Sequence, residues 1–196
     1  MRFDGNVYYH GMEQNYPFDV MVDEWREQAR FMDAAGFTTC WLGEQHFWWD
    51  DRPISASPNA VLTGADLVNQ TKRLRLAQSA CVLPDWNPIR CAEDLALLDH
   101  IAKGRLDVGF ARGNNNLTNT QLNRFGDRRN SKENWQVFKE SVEIILAAWT
   151  QETFSYHGEY YTVPNPGWKT PDLEQAEKYP QAYKADGEMI ALVRRE

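Results

Sequence analysis

The order of elements in this sequence predicts an α/β fold built on a parallel sheet, and three observations carry that reading. Short runs rich in β-formers alternate with longer segments whose apolar residues recur every three or four positions. Proline, glycine and asparagine stand at the junctions, where caps and turns are needed. The 196 residues are 42% hydrophobic and 25% charged, a balance that folds as a globular domain and does not stay disordered. Strand and helix in alternation imply parallel strands joined by right-handed crossovers.

Residues 3–10 hold Val7, Tyr8 and Tyr9 before the break at His10-Gly11, which predicts the first strand. Asp19 then caps a helix in which Val22, Trp25, Ala29, Met32 and Ala35 share one face, and Gly36 ends it. Residues 38–42 read as the second strand. The loop after it, 43–57, is long against a median of about 4–6 residues and is a candidate functional loop. Ser57-Pro58 supplies a cap and a first-turn proline for a helix over 59–72, and residues 74–83 form the third strand, stopped by Pro84. Asn87-Pro88 repeats the device and opens a helix through Ile89, Ala92, Leu95 and Leu98 to Ala102. Gly104 closes it, and 106–111 is the fourth strand.

An Asn-rich stretch follows, and Asn130-x-x-Glu133 reads as a capping box. The helix it starts is expected to bury Trp135, Phe138, Val142, Ile145, Leu146 and Trp149. Residues 153–156 and 160–163 flank His157-Gly158-Glu159 as a hairpin. From residue 164 the chain is proline-rich and polar, so the expected division is 1–163 as the folded part and 164–196 as an irregular, partly disordered tail.

A net charge of -7 argues against a nucleic-acid partner, which needs clustered Lys and Arg. No run approaches the roughly 18 apolar residues of a spanning helix and no export signal opens the chain, so a cytoplasmic location without membrane contact is expected. Cys40, Cys81 and Cys91 are widely spaced and odd in number, which suits reduced core thiols.

Three stretches carry a family resemblance. They are residues 36–47, Gly-Phe-Thr-Thr-Cys-Trp-Leu-Gly-Glu-Gln-His-Phe; residues 82–94, with Val82-Leu83-Pro84 and Asn87-Pro88; and residues 97–113, where Leu97-Leu98-Asp99 and Lys103-Gly104-Arg105 run into Gly109-Phe110-Ala111-Arg112-Gly113. In this order they resemble the bacterial-luciferase-like, flavin-dependent monooxygenases. The resemblance implies a partial TIM (β/α)8-type barrel, about the first four β/α units. It implies reduced FMN as cofactor, oxygen added at the flavin C4a atom, and oxidation of a small apolar organic substrate by the resulting peroxyflavin. A separate flavin reductase would supply the reduced cofactor, in line with the lack of a dinucleotide fingerprint or P-loop. Four units leave sheet edges open, so a homo-oligomer or a complementing chain is expected. The alternative is a non-catalytic flavin-binding or structural remnant that needs a partner chain.

Active sites of such barrels lie at the C-terminal ends of the strands. His46 matches a histidine of the family's Glu-His-His pattern, and Glu44 its acid. Gln45 departs from that pattern: luciferases hold a histidine base there, and an amide does not exchange a proton near neutral pH. Glu44, Gln45 and His46 are the candidate catalytic residues. Ser79 and Ala80 match a strand end that packs against the flavin ring, often through a cis peptide. Arg112 matches an arginine of the flavin phosphate end, where a guanidinium suits phosphate oxygens. His10, at the first strand end, completes the cofactor-binding candidates, and Ala111 stands where luciferases carry a reactive cysteine. A metal site built on His10, Glu44 and His46 is not expected, because no H-x-H pair or evident further ligand accompanies them.

Overall fold

A computed structural model describes residues 1–7, 16–46, 57–113 and 119–166. The chain divides into two compact units, Met1–Val82 with Leu97–Gly113, and Leu83–Ala96 with Asn114–Glu196.

The first unit holds a four-stranded parallel sheet in sequential order: β1 (Asp4–Asn6), β2 (Thr39–Leu42), β3 (Arg75–Val82) and β4 (Leu106–Ala111). The crossovers carry α1 (Phe18–Ala35) and α2 (Ala60–Asn69), with α3 (Pro88–Ala102) preceding β4. One sheet face is apolar and meets helices: Cys40, Leu42 and Leu76 pack with Met21, Trp25, Ala29 and Met32 of α1 and Leu67 and Val68 of α2. A Cβ on Gly5 would fall 2.7 Å from the Met32 sulfur, so β1 and α1 approach as closely as glycine allows. Side chains alternate along a strand, so the other face carries Thr39, Trp41, Arg75, Ala77 and Asp107. There Arg75 grips Asp107 through two hydrogen bonds of 2.8 and 2.7 Å.

Helix boundaries differ from the expected ones in instructive ways. Pro17, not Asp19, precedes α1 and offers no side-chain cap; Asp19 sits in the first turn, where its charge suits the helix dipole. Met21 is fully buried, Val22 packs half-buried against the core, and Ala35 is exposed. Asn59 caps α2, its Oδ1 accepting the Leu62 N–H at 2.8 Å, while Ser57 Oγ accepts the Asn59 N–H. At α3 the expected device is present: Asn87 Oδ1 accepts the N–H groups of Ile89 and Arg90. The first strand is described only as β1, because residues 8–15, His10 included, lie outside the described residues, as do 47–56 of the long loop.

The second unit is centred on α4 (Ser131–Thr150) and a small antiparallel hairpin, β5 (Tyr156–His157) with β6 (Thr162–Val163). Asn130 caps α4 by accepting the Glu133 N–H and donating to the Glu133 carboxylate, so the capping motif holds. Of the expected buried face only Ile145 is fully buried. Asn134, Val137, Glu140, Ser141, Ile144, Ile145 and Ala148 point inward, whereas Trp135 and Leu146 are each 49% exposed and Phe138, Val142 and Trp149 are half-buried. The physical reason is Glu140. Its wholly buried carboxylate accepts the backbone N–H groups of Glu159, Tyr160 and Tyr161 at 2.8–3.0 Å, so the face that meets the hairpin turn must carry an acceptor. The part of the expected tail from residue 167 onward lies outside the described residues.

Candidate functional site

The C-terminal ends of β2, β3 and β4 lie side by side in the first unit, and the candidate residues gather there. Glu44 follows β2 by two positions and reaches across to β3. Its Oε2 accepts the Val82 N–H at 2.9 Å, and its Oε1 lies 2.8 Å from His46 Nε2. The Glu44 side chain is 0% exposed and that of His46 is 21% exposed. A carboxylate that accepts at Oε1 would set the ring proton on Nε2.

The polypeptide around this pair is held at both ends of the loop. The Gln45 N–H donates to the Ser57 carbonyl at 3.0 Å, and Glu44 and Ser57 form a parallel bridge. Ser57 Oγ is in turn 2.7 Å from the Thr63 hydroxyl of α2. The point where the chain leaves β2 and the point where it returns are therefore fixed to each other and to a helix.

On β3 the register with β4 shifts between Gln78 and Cys81, so Ser79 and Ala80 together oppose the single residue Gly109. This is a bulge, a feature that turns a strand end and re-aims what it presents. A Cβ at Gly109 would lie 2.7 Å from the Gln78 carbonyl oxygen, so only glycine fits opposite the extra residue. The Ser79–Ala80 peptide is cis. Ser79 is exposed and Ala80 half-buried. Arg112 follows Ala111, the register partner of Val82, and is half-buried.

The structure thus joins Glu44 and His46 directly and ties them through Val82 to the strand bearing Ser79 and Ala80. It sets Arg112 on the neighbouring strand end. Gln45 takes part through its backbone, and His10 falls outside the described residues. Sequence reasoning missed the Val82 N–H, the Ser57 tether and Gly109. Only the last left a signal, a glycine inside a strand, which marks a bulge or a close approach. Among the described residues no group of three or more His, Cys, Asp or Glu could hold a metal ion, and no helix is long and apolar enough to cross a membrane.

Comparison with known proteins agrees with this architecture. The family model described as luciferase-like monooxygenase matches residues 4–185, and the chain belongs to that family. It is 30% identical over 164 residues to the oxygenase component of flavin-dependent trigonelline monooxygenase from Acinetobacter baylyi, which covers 84% of this chain and 43% of the relative. It is 37% identical over 102 residues to the alkanal monooxygenase alpha chain of the Kryptophanaron alfredi symbiont, covering 52% of this chain and 27% of that one. Among solved structures it resembles the oxygenating constituent of 3,6-diketocamphane monooxygenase from Pseudomonas putida, solved in complex with FMN. That match has a TM-score of 0.70 at 22% identity and covers 86% of this chain and 45% of the other. The fold is accordingly that of a partial barrel of four β/α units. The chain spans less than half the length of these relatives.

Proposed function

We propose that the chain is the N-terminal part of a flavin-dependent monooxygenase that uses reduced FMN and O2 to oxidise a small apolar organic substrate. The observation that carries this reading is the junction of the Glu44–His46 pair with β3 just beyond its bulge.

The residues present fit a flavin. A flat ring system needs a wall without projecting side chains, and Ser79, Ala80 and Gly109 provide one at the bulge. The phosphate of FMN needs a cation, and Arg112 stands at the adjacent strand end. His10, four residues beyond β1 in the sequence, is proposed for the same cofactor site. When bound, reduced flavin supplies the electrons that activate oxygen. The protein's part is to bind, orient and handle protons. Glu44 and His46 form the proton-handling pair, with the partly exposed imidazole as its accessible member. Gln45 offers an amide that hydrogen-bonds without titrating, which separates this site from one with a histidine base at that position.

The proposal extends to the partners: a flavin reductase that delivers the reduced cofactor in the cytoplasm, and a second copy or a complementing chain that covers the open sheet edges. We assign residues 1–163 to the barrel and 164–196 to an irregular tail. The competing reading is a non-catalytic flavin-binding or structural remnant that needs a partner chain to complete the barrel.

The test is an anaerobic titration of the purified chain with reduced FMN, followed by mixing with oxygenated buffer while the flavin absorbance is recorded. Saturable binding and slowed flavin reoxidation relative to free flavin are expected. Binding with reoxidation at the rate of free flavin would favour the remnant, and no binding would remove the assignment for this chain.

A further inference from the structure

We infer that Glu44 is a positioning residue: it acts through His46, holding the imidazole with its proton on Nε2, so that any proton the ring exchanges with a ligand passes through Nδ1. The inference rests on the monooxygenase reading for the identity of the ligand. It rests on geometry alone for the state of the ring.

Three observations carry it. First, the Glu44 side chain is 0% exposed, so its carboxylate has no surface on which to meet a substrate or cofactor, while His46 keeps 21%. Second, both carboxylate oxygens are engaged, Oε2 by the Val82 N–H at 2.9 Å and Oε1 by His46 Nε2 at 2.8 Å. The backbone bond fixes the carboxylate, and a fixed acceptor fixes the ring that donates to it. Third, the Gln45 N–H and the Ser57 carbonyl clamp the chain between Glu44 and the start of α2, so the pair is held from the main chain as well. When Nδ1 takes a proton the Nε2 proton stays in place, and the new positive charge is met by the buried carboxylate. The neutral ring is regained when Nδ1 gives that proton up. A carboxylate that orients an imidazole and stabilises its charged form without itself reacting is a known division of labour.

The experiment labels the chain's histidines with 15N and reads the tautomer of His46 from its long-range proton–nitrogen correlations. The His46 signals are assigned by their loss in His46→Asn, and pH is raised until the ring is neutral. The neutral wild-type ring is expected to carry its proton on Nε2. In Glu44→Gln the amide oxygen can keep the Val82 N–H while the NH2 group turns to the ring, so the tautomer should invert to Nδ1–H. Reduced-FMN affinity should stay within about twofold, because Ser79, Ala80 and Arg112 are untouched, whereas turnover should fall by roughly 10²- to 10⁴-fold, the range for a misplaced imidazole proton.

A neutral wild-type ring protonated on Nδ1 overturns the inference, whether or not any variant folds. So does an unchanged tautomer in Glu44→Gln, with Glu44→Asp as the second variant should the first not fold. If wild type neither binds reduced FMN nor turns over, the monooxygenase reading fails, and the tautomer result still decides the role of Glu44.

Discussion

Each of the two units buries a glutamate side chain completely, and the two carboxylates do different things. Glu140 is surrounded by donors that belong to the fold: the N–H groups of Glu159, Tyr160 and Tyr161, with the Gln136 amide at 3.2 Å. Glu44 gives one oxygen to a backbone N–H and the other to an imidazole that keeps some exposure. A carboxylate whose donors are mostly main chain can only hold a turn together. One that shares itself with a titratable ring transmits its charge to a group that a ligand can reach. The contrast lies in the partners, because burial is the same.

The largest effect that would break this comparison is expected at Glu140. Removing its carboxylate leaves three N–H groups facing a side chain that cannot accept, and hydrogen bonds to a buried charge are the costly ones to lose. Glu140→Ala should lower unfolding free energy by roughly 3–5 kcal/mol. Glu140→Gln should fall between, since its amide keeps one accepting oxygen. Urea unfolding of the three proteins measures this, and a loss below about 1 kcal/mol for the alanine variant would show that the turn does not depend on the carboxylate.

Gly158 tests the same clamp from the other side. A Cβ there would fall 2.2 Å from a Glu140 carboxylate oxygen and 2.7 Å from the Tyr156 ring. Gly158→Ala must displace one or the other, at about 2–3 kcal/mol. In the double variant with Glu140→Ala the penalty should shrink, because the clashing carboxylate is gone; strictly additive losses in the unfolding cycle would count against the clamp.

Gly109 sharpens the comparison at the other unit. Its added Cβ would press on the Gln78 carbonyl at 2.7 Å, a backbone atom that cannot rotate away. Gly109→Ala should cost about 1–3 kcal/mol and should weaken reduced-FMN binding as well, since the bulge at Ser79 and Ala80 must move. Loss of stability with unaltered flavin affinity, read in the same titration, would detach the bulge from the cofactor site.

These residues also mark how far the sequence could be read. The alternation of strands and helices, the caps at Asn87 and Asn130 and the hairpin were legible because each follows from local chemistry: a side-chain oxygen near free N–H groups, or a turn between β-formers. Glu44, Gln45, His46, Ser79, Ala80 and Arg112 were legible as strand-end residues by resemblance. What joins them was not, because the Val82 N–H, the Ser57 carbonyl and the Gln78 carbonyl are main-chain groups that every residue carries. The α4 face was misread for a related reason. Trp135 and Leu146 are large and apolar and so were expected inside, whereas Glu140 is drawn in by donors from a turn 19 to 21 residues further on. Hydropathy registers the cost of burying a carboxylate and not the partners that offset it.

The smallest effect is electrostatic, at the Arg75–Asp107 pair of the sheet. The Arg75 guanidinium, hydrogen-bonded to both oxygens of Asp107, holds that carboxyl below the usual carboxylate range, against a partial desolvation that pushes it up. A depressed folded-state value means that the stabilisation is fully present above the unfolded value of about 3.9 and is lost as pH falls through the folded one. The contribution is small, because the two side chains are 31% and 41% exposed and such pairs are screened. Asp107→Asn should cost about 0.5–1 kcal/mol at pH 6 and progressively less below about pH 4, with the difference shrinking further in molar salt. A penalty that persists unchanged at pH 3 would mean that Asp107 acts through hydrogen-bond geometry and packing, with charge playing no part. The pair would then resemble Glu140, a polar brace, more than Glu44.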